Sequence, residues 1–160
     1  MRRTLITAVT LISAAATMSG AGPALASARP GNVRHESFRI LSTSDTARAH
    51  SVIATGSFTA GGSVVLGRTT DREFLYRGTF ETTRHITFRT PPAPPQGCIL
   101  NVTERGTYAL GHGTGRYAGI RGNGRFVSRI TIVFARTGPN NCGNTVAFQQ
   151  IMSESGTVNK

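Results

Sequence analysis

The sequence predicts an all-β protein, an eight-stranded antiparallel barrel. Apolar and polar residues alternate with a period of two through most of the chain, as they do in half-buried strands. The segment 106–126 carries seven glycines between two such runs, and glycine costs roughly 1 kcal/mol more than alanine in a helix. No segment after residue 28 has the 3.6-residue periodicity of an amphipathic helix.

The individual strands follow when turns are placed at the glycine, proline and asparagine breaks. The clearest strand lies at 126–136, where Phe126, Ser128 and Ile130 share one face and Val127 begins the other. The predicted strands lie at 33–41, 50–60, 62–68, 72–81, 83–90, 98–110, 122–136 and 144–156. Eight antiparallel strands favour closure into a barrel, and a two-sheet β-sandwich is the alternative.

The longest breaks between the strands read as connectors within one domain. Residues 91–96 (PPAPPQ) predict a stiff polyproline-like segment, and residues 137–144 (TGPNNCGN) predict a turn. Neither resembles a linker between domains. We therefore expect residues 29–160 to form a single β-barrel domain.

The first 28 residues predict a cleaved export signal. Met1, Arg2 and Arg3 form a basic start, an apolar run covers 5–18, and small residues allow cleavage after residue 26 or 28. The apolar run is shorter than the ~20 residues of a membrane-spanning helix. We therefore expect a secreted, extracellular protein.

The charge of the chain is strongly positive. Its 18 basic and 7 acidic residues give a formal charge of +11, and removal of Arg2 and Arg3 with the signal lowers that charge to +9. The arginines are spread singly along the strands, whereas a nucleic-acid reader gathers them with stacking aromatic residues. The charge therefore favours an anionic cell-envelope polymer or lipid as partner and predicts no specific nucleic-acid site.

Cys98 and Cys142 predict one disulfide in an exported chain. If strands 98–110 and 122–136 pair as neighbours, both cysteines fall on the same rim of the barrel. The sequence has no CxxC pair or HExxH motif, so we expect no metal site. The four histidines, His35, His50, His85 and His112, are scattered along the chain. We expect His85, on an outward face, and His112, in the glycine-rich loop, to be solvated.

Residues 113–118 match the GxGxxA fingerprint of dinucleotide-binding proteins. The fingerprint works only when a helix follows and presents its N-terminus to the pyrophosphate, but here more glycines and a strand follow. We therefore expect no cofactor. We expect an ordered loop in which Tyr117 and Ile120 pack over the end of the barrel.

This loop and its flanking strands resemble the allene oxide cyclase and dirigent-like barrel superfamily. The matching pieces are Gly106-Thr107-Tyr108, the loop 113–124 (GTGRYAGIRGNG) and the strand 125–136, with weaker echoes at 56–59 and 78–80. The resemblance spans 52–158. It implies an eight-stranded barrel with a central cavity, in some members within a dimer or trimer. It assigns no catalytic residue, because the matching positions are glycines and aromatic residues.

Alternation also predicts polar groups inside the barrel. The face that carries Cys98 and Leu100 continues to Glu104 and Tyr108, and the face that carries Phe74 and Phe80 continues to Arg84. The tentative cavity set is Glu104, Tyr108, Arg84 and Tyr76. Two alternatives stay open: a structural Glu104–Arg84 pair, and a β-bulge near Gly106 that turns Glu104 outward.

Two functions are compatible with these features. The first is a secreted, disulfide-linked, non-catalytic barrel that binds a small apolar ligand or an anionic envelope component. The resemblance also implies a homo-oligomer, since some members of the superfamily form dimers or trimers. The alternative is a cofactor-free cyclase or isomerase, in which Glu104 acts as acid or base and the other three residues orient the substrate.

Overall fold

A computed structural model describes residues 33–91 and 93–159, and the predicted export signal at 1–28 lies outside these described residues. Eight antiparallel strands close into a barrel in chain order, with the first strand pairing the last. The strands are β1 (Arg34–Ser42), β2 (His50–Gly56), β3 (Ala60–Val65), β4 (Thr70–Leu75), β5 (Gly78–Arg89), β6 (Ile99–Gly111), β7 (Arg121–Arg136) and β8 (Cys142–Asn159). The predicted all-β barrel is confirmed, and the β-sandwich alternative is wrong.

A single short helical turn interrupts the strands within the described residues, a 3₁₀ turn at Gly115–Tyr117. No helix in this part of the chain has the length and apolar character needed to cross a bilayer.

Aromatic side chains from the strands and from the turn at Gly115–Tyr117 pack together in an aromatic centre inside the barrel. The ring of Phe38 packs 5.6 Å from that of Phe80, which in turn lies 5.4 Å from the ring of Tyr117. Phe126 joins them, and all four are at most 2% exposed. Burial of each such side chain contributes about 1.5–3 kcal/mol, so this aromatic centre is a main source of the stability of the barrel.

The hairpin of β4 and β5 differs from the prediction. The sequence pattern predicts a break near residue 82, whereas the structure has a two-residue turn at Tyr76 and Arg77, with Leu75 opposite Gly78. Arg77 adopts a left-handed conformation with φ of +68°. The earlier turn changes which residues of β4 point inward, because strand faces alternate with every residue.

The three longest strands, β6, β7 and β8, are joined at one end by the disulfide between Cys98 and Cys142. Arg136 lies opposite Cys142 on the β7–β8 ladder, and the Phe134 amide donates to the Cys98 carbonyl at 2.9 Å. The predicted disulfide and the predicted pairing of the flanking strands are both confirmed. The bond closes a loop with a sequence separation of 44 residues.

The glycine-rich loop after β6 covers the other end of the barrel. Tyr117 and Ile120 are 1% and 0% exposed, which confirms their predicted packing. Gly113 permits the close turn, because a Cβ at this position would lie 1.8 Å from the Tyr117 carbonyl oxygen. The Gly115 backbone has a φ of +55°, which glycine adopts without strain.

Candidate functional site

Most of the carboxyl side chains of this basic protein lie inside the barrel. Of the seven acidic residues of the chain, five are at most 5% exposed. They are Glu36, Asp71, Glu73, Glu104 and Glu154. Buried carboxyl groups require a partner or a proton, so this interior cluster is the first candidate site.

Asp71 on β4 and Arg84 on β5 form the one buried ion pair among the described residues. Arg84 Nε lies 2.6 Å from Asp71 Oδ2, and Arg84 Nη2 donates to Asp71 Oδ1 at 2.9 Å. The Gly67 amide donates to the same Oδ1 at 2.9 Å. The Arg84 guanidinium also lies over the ring of Phe126, 5.8 Å from its centroid. These contacts hold the guanidinium in place within the barrel.

Two further carboxyl groups have one satisfied oxygen each. The Thr82 hydroxyl donates to Glu73 Oε1 at 2.6 Å. The Ser57 hydroxyl and the Phe58 amide donate to Glu36 Oε2 at 2.7 and 3.1 Å. The second oxygen of Glu73 and that of Glu36 are buried without a hydrogen-bond partner.

Glu154 and Tyr108 have the least satisfied polar groups in the described interior. Both carboxyl oxygens of Glu154 and the hydroxyl oxygen of Tyr108 are buried without a hydrogen-bond partner. Glu154 lies on β8 opposite Phe38 and Phe126 of the neighbouring strands. Glu154 is 2% exposed, and its burial away from bulk solvent beside these aromatic residues favours the neutral form of its carboxyl group.

The protonation of this cluster follows from its burial. Burial raises the pKa of Glu73 to about 8. It raises the pKa of Glu154 well above the usual value, and the neighbouring Glu73 and Asp71 carboxylates add to this shift. Burial also raises the pKa of Asp71, although Arg84 opposes the effect. The raised pKa values favour the protonated forms of Glu73 and Glu154, in which each carboxyl group can donate a proton.

The structure places three of the four predicted cavity residues inside the barrel. Glu104, Tyr108 and Arg84 are 5%, 3% and 8% exposed. The predicted Glu104–Arg84 pair does not form. Glu104 Oε1 instead accepts a hydrogen bond from Arg89 Nε at 2.7 Å. Arg84 pairs with Asp71 because both point inward from the adjacent strands β4 and β5.

The predicted bulge near Gly106 lies on the neighbouring strand. The β5–β6 register shifts between Ile86, which is opposite Gly106, and Phe88, which is opposite Arg105. The irregularity therefore turns Phe88 outward, to 48% exposure, and leaves Glu104 inward. An extra residue on one strand reverses the faces of that strand alone.

The prediction that Tyr76 lines the cavity is wrong. Tyr76 lies in the β4–β5 turn, is 63% exposed, and has the Arg77 guanidinium over its ring at 4.8 Å. Since the turn comes before residue 78, the inward face of β4 carries Asp71, Glu73 and Leu75, and Phe74 points outward.

Four of the five interior carboxyl groups, all except Glu104, were not predicted from the sequence. Two of them follow a signal that the sequence contains, because Glu36 alternates with Phe38 and Ile40, and Glu154 alternates with Met152. Asp71 and Glu73 have no such signal. The aromatic residue of their strand, Phe74, lies on the opposite, outward face, so the alternation predicts that face to be the buried one. The described residues contain no group of three His, Cys, Asp or Glu side chains arranged to hold a metal ion.

The outer surface has the opposite charge from the interior. Outward positions of the four adjacent strands β6, β7, β8 and β1 carry no carboxylate, because Glu36, Glu104 and Glu154 all point inward. Exposed arginines on these strands have no salt bridge within the described residues. We define the arginine face as Arg39, Arg105, Arg125 and Arg129.

The arginine face has a regular geometry that the strand register sets. Arg39, Ser153, Val127 and Arg105 lie in one row across β1, β8, β7 and β6. Three strand spacings separate the ends of the row by about 14 Å. Arg125 and Arg129 lie on either side of Val127, about 13 Å apart along β7. Exposed or half-exposed hydroxyl side chains surround them, at Ser37, Thr103, Thr107, Ser153 and Ser155.

No protein-family profile, no curated protein and no solved structure matches this chain. The resemblance to the allene oxide cyclase and dirigent-like superfamily therefore stays a prediction.

Proposed function

We propose that the protein is an exported barrel that binds an anionic polymer of the cell envelope through the arginine face. The observation that carries this proposal is the separation of charge. Most carboxyl groups lie inside the barrel, whereas arginines without a salt bridge lie outside on four adjacent strands whose outward positions carry no carboxylate. Such a surface attracts polyanions, and guanidinium groups bind phosphate oxygens in pairs of parallel hydrogen bonds.

Export is part of the proposal. The basic and apolar residues at the start of the chain support it, and the Cys98–Cys142 disulfide is compatible with an oxidising compartment. A cationic surface of this kind attracts anionic polymers such as those that carry phosphate. Surface charge then concentrates the protein on the envelope without a deep pocket.

A binding titration with purified poly(glycerol phosphate) tests the proposal. The wild-type protein should bind at low salt and lose affinity steeply as salt rises, because binding releases the counterions of the polymer. The triple variant Arg39→Gln, Arg125→Gln, Arg129→Gln removes part of the arginine face. It should reduce the slope of log affinity against log salt by about 2.

A second triple variant distinguishes the contribution of the arginine face to binding from the contribution of the net charge. Arg48→Gln, Arg68→Gln and Arg116→Gln change the charge by the same amount at exposed positions outside the four strands. The proposal requires this variant to bind nearly as the wild type does. Equal losses in both variants would show that net charge alone decides binding. Binding to phosphatidylglycerol vesicles without binding to the polymer would identify a lipid as the partner and would overturn the proposal that the partner is a polymer.

A second candidate function is acid–base chemistry inside the barrel, by a cofactor-free cyclase or isomerase. The specific observation in its favour is the combination of neutral carboxylic acids, Glu73 and Glu154, with the unpartnered hydroxyl of Tyr108. The small apolar ligand and the homo-oligomer also stay predictions. Native mass spectrometry of protein purified from its exporting cells checks both, since it reports bound mass and subunit number.

A further inference from the structure

A groove on the outer surface lies away from the arginine face, where the glycine-rich loop meets the β4–β5 hairpin. It encloses about 360 Å³. Its lining residues are Arg72, Phe74, Thr79, Glu81, His112 and Thr114. An adjoining depression of about 410 Å³ continues it along β4 and shares Arg72, Phe74 and Glu81. We call the two together the aromatic groove.

Hydrogen bonds fix the walls of the aromatic groove. The Thr114 amide donates to the Thr79 carbonyl at 2.8 Å, and the Thr79 amide donates to the Thr114 hydroxyl at 3.1 Å. The two threonine hydroxyls lie 2.8 Å apart. The Arg116 amide donates to the Arg77 carbonyl at 2.8 Å. The loop is therefore fastened to the hairpin, and the groove exists before any ligand arrives.

The floor of the groove contains an aromatic ring beside a surface ion pair. Phe74 is 41% exposed and lies directly along the strand from Arg72. Arg72 donates from Nε and Nη2 to Glu81 Oε1 at 3.2 and 2.5 Å. Among the described residues, Glu81 Oε2 accepts no hydrogen bond. Arg72 lowers the pKa of Glu81, so the carboxylate stays charged and can accept from a ligand.

We propose that the aromatic groove binds a neutral sugar unit of a glycan. A pyranose ring has an apolar C–H face, which stacks on an aromatic ring, and a rim of hydroxyls that both donate and accept hydrogen bonds. The groove matches this pattern with Phe74 for the face, Glu81 as acceptor, Arg72 as donor and the hydroxyls of Thr79 and Thr114 for either role. A phosphate would meet the Glu81 carboxylate, and a purely apolar ligand would leave these polar groups without water.

Nuclear magnetic resonance titrations with three neutral trisaccharides test the proposal: cellotriose, maltotriose and N,N′,N″-triacetylchitotriose. The wild-type protein should bind at least one of them saturably. Phe74→Ala should weaken that binding by about tenfold, because the stacking surface is lost. Phe74→Tyr keeps a ring and should restore it. Glu81→Gln should also weaken binding, because it replaces the charged acceptor.

Phe88→Ala is the matched control, since Phe88 is similarly exposed but lies outside the groove. This variant should bind the sugar as the wild type does, and Phe74→Ala should bind poly(glycerol phosphate) as the wild type does. Absence of saturable binding to all three trisaccharides overturns the proposal. So does sugar binding that Phe74→Ala leaves unchanged. Circular dichroism confirms that each variant keeps its strands.

Discussion

Arg84 Nε lies 2.6 Å from Asp71 Oδ2 in the interior of the barrel, where the two side chains are 7% and 0% exposed. The pair joins β4 to β5 and is the only buried cation–carboxylate contact of this kind among the described residues. A buried ion pair offsets its own desolvation only while both partners are present. The pair therefore restricts which substitutions the interior tolerates.

Removal of one partner should destabilise the barrel strongly. We expect Asp71→Asn to lower the free energy of unfolding by about 3–5 kcal/mol, because it leaves the Arg84 guanidinium buried without a counter-charge. The double variant Asp71→Asn, Arg84→Met should lose less than the single variant. Urea unfolding followed by circular dichroism measures both. A double variant that is less stable than Asp71→Asn would contradict this account.

The barrel should lose stability as the pH rises from acid to weakly alkaline values. Glu73 has a pKa of about 8 in the folded protein and 4.5 when unperturbed, so unfolding releases a proton between these values. The free energy of unfolding should therefore fall across this window, by at most about 1.4 kcal/mol per pH unit from Glu73 alone. Glu154 and Asp71 act in the same direction, because their pKa values are also raised.

Urea midpoints measured between pH 4.5 and 8 check this dependence. Glu73→Gln mimics the protonated acid and keeps an acceptor for Thr82, so the variant should show a shallower slope. Glu81→Gln is the control. The pKa of Glu81 is lowered by Arg72, which places its effect below the window and leaves the slope unchanged. A wild-type midpoint that stays constant or rises with pH would refute the assignment of Glu73.

The disulfide should supply a large part of the stability. Cys142→Ser is expected to lower the free energy of unfolding by about 2–5 kcal/mol, mainly because the unfolded chain regains the freedom of a long loop. The strands should persist at low temperature, since their ladders do not depend on the bond. The variant that lacks both Cys98 and Cys142 should match the single variant. Two freely titrating thiols in the native protein would contradict this prediction.

The buried hydroxyl group of Tyr108 should lower the free energy of unfolding, because it has no hydrogen-bond partner. Tyr108→Phe removes a buried hydroxyl without a partner, and we expect the free energy of unfolding to rise by about 1 kcal/mol. Thr82→Val is the contrasting variant, because the Thr82 hydroxyl donates to Glu73; its free energy of unfolding should fall by about 1–3 kcal/mol. If Tyr108→Phe is as destabilising as Thr82→Val, the Tyr108 hydroxyl has a partner in solution, either water or a ligand.

Gly113 should tolerate no side chain. Gly113→Ala places a Cβ 1.8 Å from the Tyr117 carbonyl oxygen, so the loop must move and the free energy of unfolding should fall by roughly 1–3 kcal/mol. Gly111→Ala is the matched control, since the nearest atom to its Cβ is the Arg121 guanidinium at 3.9 Å. Equal stability of the two variants would show that the loop does not need its close turn.

The strands, the disulfide and the covering loop could be predicted from the sequence because their causes are local. Alternation with a period of two is a property of the strand itself, as in β7 from Phe126 onward. With only Cys98 and Cys142 present, one pairing is available. The density of glycines predicted a tight connection between two strands rather than a long helix, and the predicted packing of Tyr117 and Ile120 over the barrel end is confirmed.

Tertiary structure decided which faces point inward and which charges meet. Because the turn lies at Tyr76 and Arg77, the inward face of β4 is the opposite of the predicted one. Asp71 and Glu73 therefore point into the barrel, and Phe74 points outward. Arg84 pairs with Asp71 rather than with Glu104, because the strand register determines which side chains of adjacent strands lie close together. A shift of one residue moves a whole strand to the other face, and the alternation of residues in one strand does not contain the register of its neighbours.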